Sequence, residues 1–418
     1  MKAGVAKIDV TPPAGLLMSG FAARTLPAEG THDPLTVRAI AVDDTALAVV
    51  DVLGFDADFS AHVRARCKLP AERVVLTALH NHGGPVTIAG LRDGVNAAYL
   101  QRLEDACVAA IDDAVAAQQP ATLTIGMGGD PDVARNRRHT EGITEPALPV
   151  LRVRSADGRM LAVLTSYACH PVVLGADNRL WTADYPHFVR VAIEEAHPGA
   201  LAIFATGCCG DANTGHSAYA SQRLGASADR SFETAERLGR RIAAKALVAP
   251  EQPLQQTVHA TDCMVDLNFE RREQRSLPEL ADAWRAEASA DPTRKVLLDH
   301  WIKWADQWAA VPTPDNWPAR VSVLDWGGLP LVALPGEIFA ETSCSLRSAL
   351  HQRPAFILSY ADSDPGYIPP RSEFPFGGYE VDEAHRYMGM PASFAPGSAE
   401  ALADAAGDCL RKLNFNLA

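Results

Sequence analysis

Residues 73–85, with the sequence RVVLTALHNHGGP, predict a buried strand and a polar site at its end. The first half is an apolar and β-branched run, which is typical of a strand buried in a sheet. His80 and His82 follow it two positions apart, so in extended backbone both rings face the same side. Gly83 and Gly84 then permit a tight turn and a close approach of backbone to a ligand.

Short apolar runs alternate with amphipathic stretches along the rest of the chain. Such alternation predicts an α/β fold in which a mixed β-sheet is layered with helices. We expect one domain over residues 1–418, with a Trp-rich helical insert at about 270–318. Strands are predicted at residues 37–51 (a hairpin), 73–79, 161–168, 201–206, 320–324, 329–334 and 355–360, and helices at 99–117, 185–197, 232–247 and 398–412.

Five polar segments lie just beyond the C-terminal ends of predicted strands. Loops that leave neighbouring strands converge at this edge of an α/β sheet, and ligand crevices form there. We therefore place a metal site at the C-terminal ends of the strands. The five segments contain His80, His170, Gly210-Asp211, Glu337 and Tyr367.

The side chains at these strand ends include the types that bind zinc. Imidazole nitrogens and a carboxylate oxygen are the donors of many catalytic zinc sites, and His80, His170 and Glu337 would supply them. The sequence also leaves structural interpretations open. His80 and His82 could be a hydrogen-bonded pair at a strand end, and His170 could be a core histidine. Glu337 could cap a helix that opens at Ile338.

Composition limits the partners of this 418-residue chain. Its net charge of −13 argues against nucleic acid, whose phosphates favour a basic face, and against anionic membranes. The same charge could serve solubility alone. The sequence contains no run of about 18 or more apolar residues, so we expect no transmembrane segment. We expect a small-molecule substrate, and the sequence leaves open whether the chain forms a homo-oligomer.

The N-terminus and the cysteines indicate a reducing compartment. Residues 1–7 enter strand-like sequence without the apolar core of a signal peptide. The 8 cysteines include no C-x-x-C pair, which favours reduced thiols over a disulfide framework. Vicinal Cys208 and Cys209 are interpreted as core residues, with a soft-metal site as the alternative. We expect a cytoplasmic protein, and a leader already removed from the sequence is the alternative.

Six motifs, in order along most of the chain, resemble those of the neutral/alkaline ceramidase family, specifically its zinc-bearing N-terminal catalytic domain. The family's H-T-H-S-G-P appears at residues 80–85, and its V-H-P is similar to residues 169–171. Its G-D-x-S-P-N corresponds to residues 210–214 and its P-G-E to residues 335–337. The remaining matches are the opening motifs, at residues 4–11 and 18–21, and the G-Y-(I/V)-T-T…Y-E motif, at residues 366–368 and 379–380.

The resemblance implies one Zn²⁺ per chain. In the family pattern the ligands are the first histidine of H-x-H, the histidine of V-H-P, the glutamate and the G-Y tyrosine. His82 would then lie beside the metal and assist proton transfer or hold the oxyanion. Tyr379 resembles the family's second active-site tyrosine. The implied ligands are His80, His170, Glu337 and Tyr367.

The resemblance also implies an arginine and a substrate-binding loop. Arg137 resembles the family's active-site arginine, with Arg135 and Arg138 as neighbouring alternatives. Asp211 and Asn213, in the segment that matches G-D-x-S-P-N, are the expected substrate-binding residues.

Two departures from the family pattern shape the expected reaction. Gly83 and Asn213 stand where the family motifs have serine, so a covalent serine route is not expected. We predict that metal-activated water cleaves a linear or cyclic amide of a small soluble molecule. An ester, a lactone or ceramide could be cleaved on the same site, because each reaction passes through a tetrahedral oxyanion. A non-catalytic protein that keeps the scaffold to bind a ligand is the rival from another class.

Overall fold

The computed structural model describes residues 1–88, 94–222, 224–225, 227–291 and 294–418. The helices are α1 (Ala57–Arg66), α2 (Ala97–Ala116), α3 (Tyr185–Ala196), α4 (Phe232–Leu247), α5 (Leu277–Ala290), α6 (Lys295–Ala309), α7 (Ala340–Ala349) and α8 (Ser398–Lys412). The strands are β1 (Lys2–Asp9), β2 (Gly30–Thr31), β3 (Thr36–Val42), β4 (Thr45–Val50), β5 (Val74–Ala78), β6 (Gln119–Gly128), β7 (Arg135–Asn136), β8 (Leu148–Ser155), β9 (Met160–Tyr167), β10 (Leu180–Trp181), β11 (Leu201–Thr206), β12 (Ala212–Asn213), β13 (Gln252–Pro253), β14 (Val258–Glu270), β15 (Asn316–Trp326), β16 (Pro330–Ala333), β17 (Glu337–Ile338), β18 (Phe356–Leu358), β19 (Tyr367–Ile368) and β20 (Ser393–Phe394).

Two mixed sheets form the framework. The larger has nine strands in the order β11-β9-β8-β6-β1-β3-β4-β5, with β13 paired to β6. Its outer pairs, β11–β9 and β4–β5, are parallel, and the pairs between them are antiparallel. The smaller has five strands in the order β18-β16-β15-β14-β20, of which β16–β18 is the parallel pair. The predicted mixed α/β architecture is therefore confirmed.

The strands of the large sheet are covered by helices on both faces. β3 and β4 are buried along their whole length, as a strand covered on both faces requires. Alternate residues of β3 belong to two different apolar clusters, one shared with α3 and α4 and the other with α1 and α2. The sheet thus forms the middle layer between two pairs of helices.

Residues 358–362 join the two edges of the large sheet, and we call them the bridging segment. Isolated β-bridges pair Ala361 with Thr77 in β5, and Leu358 with Gly207 directly after β11. The ends of β5 and β11 therefore lie next to each other, although these strands stand at opposite ends of the sheet order. Loops that leave both strands open into the same space.

Local sequence signals explain where the helices begin. Asp184 accepts a hydrogen bond from the N–H of Tyr185, and proline lies in the first turn of α3, both as predicted. Ser231 caps α4 by accepting from the N–H of Thr234, and a capping box of Ser276 and Glu279 opens α5.

The predicted elements agree with the structure at most positions. The hairpin, the strands before His80 and His170, and the helices at 185–197, 232–247 and 398–412 are confirmed within one or two residues. The helix predicted to open at Ile338 begins two residues later, at Ala340, because Glu337 and Ile338 pair with β19 as a short strand. β14 was not predicted, because its half-buried sequence gives no continuous apolar run. The assignment of residues 1–418 to a single domain stays a prediction.

The segment at about 270–318 contains α5, α6 and the first residues of β15. Trp284, Trp301 and Trp304 pack in one apolar cluster with Tyr387. The guanidinium of Arg386 lies 4.6 Å from the ring centroid of Trp301. The predicted helical insert is thus anchored on residues 386–387. Among the described residues, no helix is long and apolar enough to cross a bilayer.

A buried ion pair holds α3 on the large sheet and gives a first prediction. Nη1 of Arg190 lies 2.7 Å from Oδ1 of Asp51, and both side chains are buried. The other Asp51 oxygen accepts two hydrogen bonds from Thr36. Arg190→Met would leave the Asp51 charge buried and unpaired, so we expect the free energy of unfolding to fall by about 3–5 kcal/mol. Urea unfolding followed by circular dichroism measures this change.

Arg240→Met on α4 is the matched control. Its ion pairs with Glu195 and Glu236 are exposed, so the same measurement should show no clear change. Equal losses in the two variants would show that the Arg190–Asp51 pair has no special role.

Candidate metal centre

His80 follows β5 and is held by its backbone and its ring. Its φ of 62° is left-handed, so the extended backbone predicted for the His80–His82 pair is wrong at this residue. The ring stacks on Tyr360 of the bridging segment, with 4.0 Å between centroids. Nδ1 lies 2.8 Å from the carbonyl oxygen of Leu53. Because a carbonyl oxygen can only accept, Nδ1 carries a proton, and the neutral ring has its lone pair on Nε2.

His82 and His170 are oriented in the same way. Nδ1 of His82 donates to the carbonyl oxygen of Gly20 at 2.9 Å, and Nδ1 of His170 donates to that of Cys209 at 2.6 Å. Each ring therefore also presents an unprotonated Nε2. Metal-ligating histidines commonly donate their second nitrogen to a carbonyl in this manner, which fixes tautomer and ring orientation.

Nε2 of His80 and Nε2 of His170 converge on the carboxylate of Glu337. Its Oε2 lies 2.9 Å from Nε2 of His170 and 3.4 Å from Nε2 of His80. One ligand atom from each of His80, His82 and His170 lies within 4.8 Å of the other two. Two imidazoles and a carboxylate thus meet at one point with a third imidazole beside them, although they come from loops far apart in sequence.

The unsatisfied atoms of this cluster fit a cation. Nε2 of His82 is buried and has no hydrogen-bond partner among the described residues, and the same is true of Oδ2 of Asp364. Without a cation, the Nε2 lone pair of the neutral His170 ring would face the carboxylate of Glu337, acceptor against acceptor. Three nitrogen donors and one carboxylate oxygen match the chemistry that zinc prefers.

The pKa values of these groups show how closely their charges are coupled. Burial lowers the pKa of His170 to about 4, and the charge of Arg137 acts in the same direction. Burial also acts to lower the pKa of His80, but Glu337 and Asp364 together outweigh it and raise that pKa to about 9. Burial and the charge of His80 hold the pKa of His82 well below its usual value. Burial would raise the pKa of Glu337, but His80 and His170 outweigh it and keep the carboxyl group ionised.

Tyr367 lies beside Glu337 because the two residues pair in register between β19 and β17. Its hydroxyl accepts a hydrogen bond of 2.8 Å from Nη2 of Arg137. Nε of Arg137 also donates to Glu380 at 2.8 Å, which fixes the guanidinium. Burial raises the pKa of Tyr367, while the Arg137 charge opposes that rise.

Of the three neighbouring arginines, Arg137 is the one whose side chain contacts a residue of the metal centre, Tyr367. Arg135 is about half exposed and pairs with Asp132. Arg138 donates to Glu373 and Glu380, away from the histidines.

A cavity of about 110 Å³, which we call the main cavity, opens at the histidines. Tyr379 lies in its wall, and its ring centroid is 5.8 Å from that of Tyr367. Val296 and His300 of α6 also line it, so the helical insert contributes to the site. The wall contains His80, His82, Glu337, Tyr367 and Tyr379 together with apolar residues such as Phe21, Leu53 and Met388.

The side-chain oxygens of Asp211 and Asn213 accept hydrogen bonds from other groups of the chain. One oxygen of Asp211 accepts from the N–H of Ala340 at the start of α7, and the other accepts from Asn136. Oδ1 of Asn213 accepts from two N–H groups in the turn that follows it. Asp211 does not line the main cavity, and their substrate-binding role stays a prediction.

Some residues of the centre were not singled out from the sequence. Asp364 lies 3.4 Å from His80, and Tyr360 stacks on the same ring. Asp364 lies in the stretch after β18 and Tyr360 ends the strand predicted at 355–360, and no local pattern indicates the contact of either with His80. Cys208 and Cys209 are buried, as predicted.

No protein-family model matches the sequence. Two solved structures share its fold over 100% of the chain. One is the crystal structure of neutral ceramidase from Pseudomonas aeruginosa, with 18% sequence identity, a TM-score of 0.73 and 75% of that chain covered. The other is a ceramidase complexed with C2, with the same identity and TM-score and 76% of that chain covered. The chain therefore has the mixed α/β fold of the neutral ceramidases.

Proposed function

We propose that the chain is a zinc-dependent hydrolase that cleaves an amide bond of a small molecule. The observation that carries this proposal is the convergence of His80 and His170 on the Glu337 carboxylate, with His82 close by and each ring fixed by an Nδ1–H bond to a backbone carbonyl. The fold shared with proteins named as ceramidases supports amide hydrolysis as the reaction class.

One Zn²⁺ per chain would be held by His80, His170, Glu337 and Tyr367. When bound, such an ion supplies a Lewis acid and lowers the pKa of a bound water to about 7. Tyr367 suits a place among the ligands because Arg137 donates to its hydroxyl and thereby favours the phenolate. Glu337 offers its carboxylate at the point where the rings meet.

His82 is proposed to move the proton of the reaction. Its Nδ1 is committed to Gly20, and its Nε2 is buried, unpartnered and in the wall of the main cavity. Water adds to the acyl carbon and the carbon–nitrogen bond breaks. Nε2 of His82 accepts the proton that the water loses and delivers it to the leaving nitrogen, so that an acid and an amine are formed.

Tyr379 is proposed to stabilise the oxyanion that forms on the acyl oxygen. Its ring lines the main cavity next to Tyr367. Burial raises the pKa of Tyr379 well above its usual value, which keeps its hydroxyl protonated as a hydrogen-bond donor. Donors aimed at the developing negative charge are usually a large part of acyl-transfer catalysis.

Metal content tests the ligand assignment. We expect zinc in about equal amount to the wild-type chain after purification without added metal. His80→Ala and Glu337→Gln should bind zinc at least about 100-fold more weakly, because even outer partners of metal ligands change affinity by about 10–100-fold. Elemental analysis and competition with a chelator measure this, with the exposed His62→Ala of α1 as control. A wild-type chain without stoichiometric metal would contradict the proposal and favour a non-catalytic scaffold.

His82→Ala separates the two histidines of residues 80–82. If His80 binds the ion and His82 transfers the proton, this variant keeps its zinc while kcat falls by about 10²–10⁴-fold. Elemental analysis and steady-state kinetics on a panel of amides, lactams, esters, lactones and ceramide provide both readouts. Loss of zinc together with activity would instead make His82 a ligand.

Tyr379→Phe tests the oxyanion role. Removal of one such donor commonly costs about 10²–10³-fold in kcat, and zinc content should not change. Tyr219→Phe is the matched control, because Tyr219 is 44% exposed and its ring contacts Tyr379 from outside the main cavity. Equal kcat values for the Tyr379→Phe variant and the wild type would remove Tyr379 from the reaction.

A further inference from the structure

A second cavity of about 40 Å³, which we call the side cavity, lies against the same residues as the main cavity. Phe21, His82, Tyr367 and Tyr379 line both. A molecule whose reacting group lies at His82 can therefore extend into either space. The two cavities differ in chemistry, and this difference carries information about the substrate.

The side cavity is cationic. Arg137 and Arg230 line it, and no aspartate or glutamate is among its described lining residues. His216 lines it as well, as a neutral ring whose pKa is lowered by burial. This composition is unexpected for a chain with a net charge of −13. The charge of Arg137 is already matched by Glu380 at 2.8 Å. The Arg230 charge is not matched in this way.

Arg230 has no ion pair with any carboxylate in the described part of the chain. Its guanidinium donates only to backbone carbonyls, those of Val172 at 3.2 Å, Val173 at 3.3 Å and Leu174 at 3.0 Å. Burial lowers its pKa, and Asp184 and Asp177 oppose that shift through space. The cation is therefore fixed in place and partly desolvated without a direct counterion.

Arg230 is also close to the reacting centre. It directly precedes Ser231, the N-cap of α4, so its backbone is anchored. Its guanidinium carbon lies 5.5 Å from the centroid of the Phe21 ring, and that ring centroid lies 5.0 Å from the His82 ring centroid. Only one aromatic ring thus separates the cation from the proposed proton carrier.

The main cavity has an apolar surface, in contrast to the cationic side cavity. Apart from the metal centre and its tyrosines, it presents apolar groups such as Ala22, Val296 and Met388. An amide bound at the centre would meet an apolar surface on one side and an unmatched guanidinium on the other.

We propose that the side cavity is a carboxylate subsite, in which Arg230 binds the acid group of an amide substrate whose other part occupies the main cavity. This rests on the proposed amide hydrolysis. The substrate class is a carboxylate-bearing amide such as an N-acyl amino acid, and guanidinium–carboxylate recognition supplies the specificity.

Three synthetic amides test the subsite and locate the acid group. N-acetyl-L-leucine carries the carboxylate on the amine side, N-isopentylsuccinamic acid carries it on the acyl side, and N-isopentylacetamide carries none. We expect kcat/KM for one of the two acids to exceed that for the neutral amide by about 10- to 100-fold, as expected for a hydrogen-bonded charge pair. Whichever acid is preferred identifies the side of the scissile bond that faces Arg230.

Arg230→Gln and Arg230→Lys test the charge itself. Arg230→Gln should lose the 10- to 100-fold preference, with kcat/KM for the neutral amide unchanged, whereas Arg230→Lys should keep part of the preference. Arg179→Gln is the control, because Arg179 also donates to a loop carbonyl, that of Pro27, but lines neither cavity. Zinc content and the thermal unfolding midpoint report whether each variant is folded.

Two results would overturn the subsite. One is hydrolysis of the neutral amide at least as efficient as that of both acids. The other is an acid preference that Arg230→Gln leaves intact. If the zinc-loaded wild type cleaves none of the three amides, the proposed function fails. Calorimetric binding of N-acetyl-L-leucine and N-isopentylsuccinamic acid to wild type and Arg230→Gln then decides the subsite, since at least one must bind in an Arg230-dependent manner.

Discussion

The metal centre depends on the contact between the bridging segment, residues 358–362, and both edges of the large sheet. Hydrogen bonds from this segment place the end of β5 beside the end of β11. His80 leaves β5, His170 leaves β9 next to β11, and Glu337 follows the strand that pairs with β18. If the bridging segment were displaced, these three side chains would no longer meet. The loops at this edge of the sheet therefore form one shared site.

This arrangement carries a conformational cost that is concentrated at the site. His80, Tyr360 and Asp362 have φ values of 62°, 59° and 60°, a left-handed region that L-residues avoid. Each such residue costs roughly 1–3 kcal/mol and persists only where its surroundings fix it. Here the fixing contacts are the stacking of Tyr360 on His80 and the ion pairs of Asp362 with Arg320 and Arg64. The backbone of the centre is therefore strained at these three residues, and contacts with the surrounding sheets hold it in place.

The sequence predicted much of the fold and the identity of the central residues. Buried strands and amphipathic helices have short-range periodicity, so their positions could be assigned from the sequence. The polar residues at strand ends, His80, His170 and Glu337, could be grouped because neighbouring strand exits converge. Contacts between distant segments leave no local pattern, and therefore the contact of Asp364 with His80 could not be predicted. The left-handed turn at His80 was hidden for the same reason, since its cause is packing against Tyr360.

The orientation of the three imidazoles is the feature on which the account depends most. Backbone carbonyls accept from Nδ1 of all three rings, so Nε2 is the nitrogen that each ring leaves for an ion. Anomalous diffraction from crystals of the zinc-loaded chain, recorded on both sides of the zinc absorption edge, tests this directly. We expect one zinc peak at about 2.0–2.2 Å from Nε2 of His80, Nε2 of His170 and a carboxylate oxygen of Glu337. An anomalous map with no peak among these atoms, or with its zinc elsewhere in the chain, would contradict it.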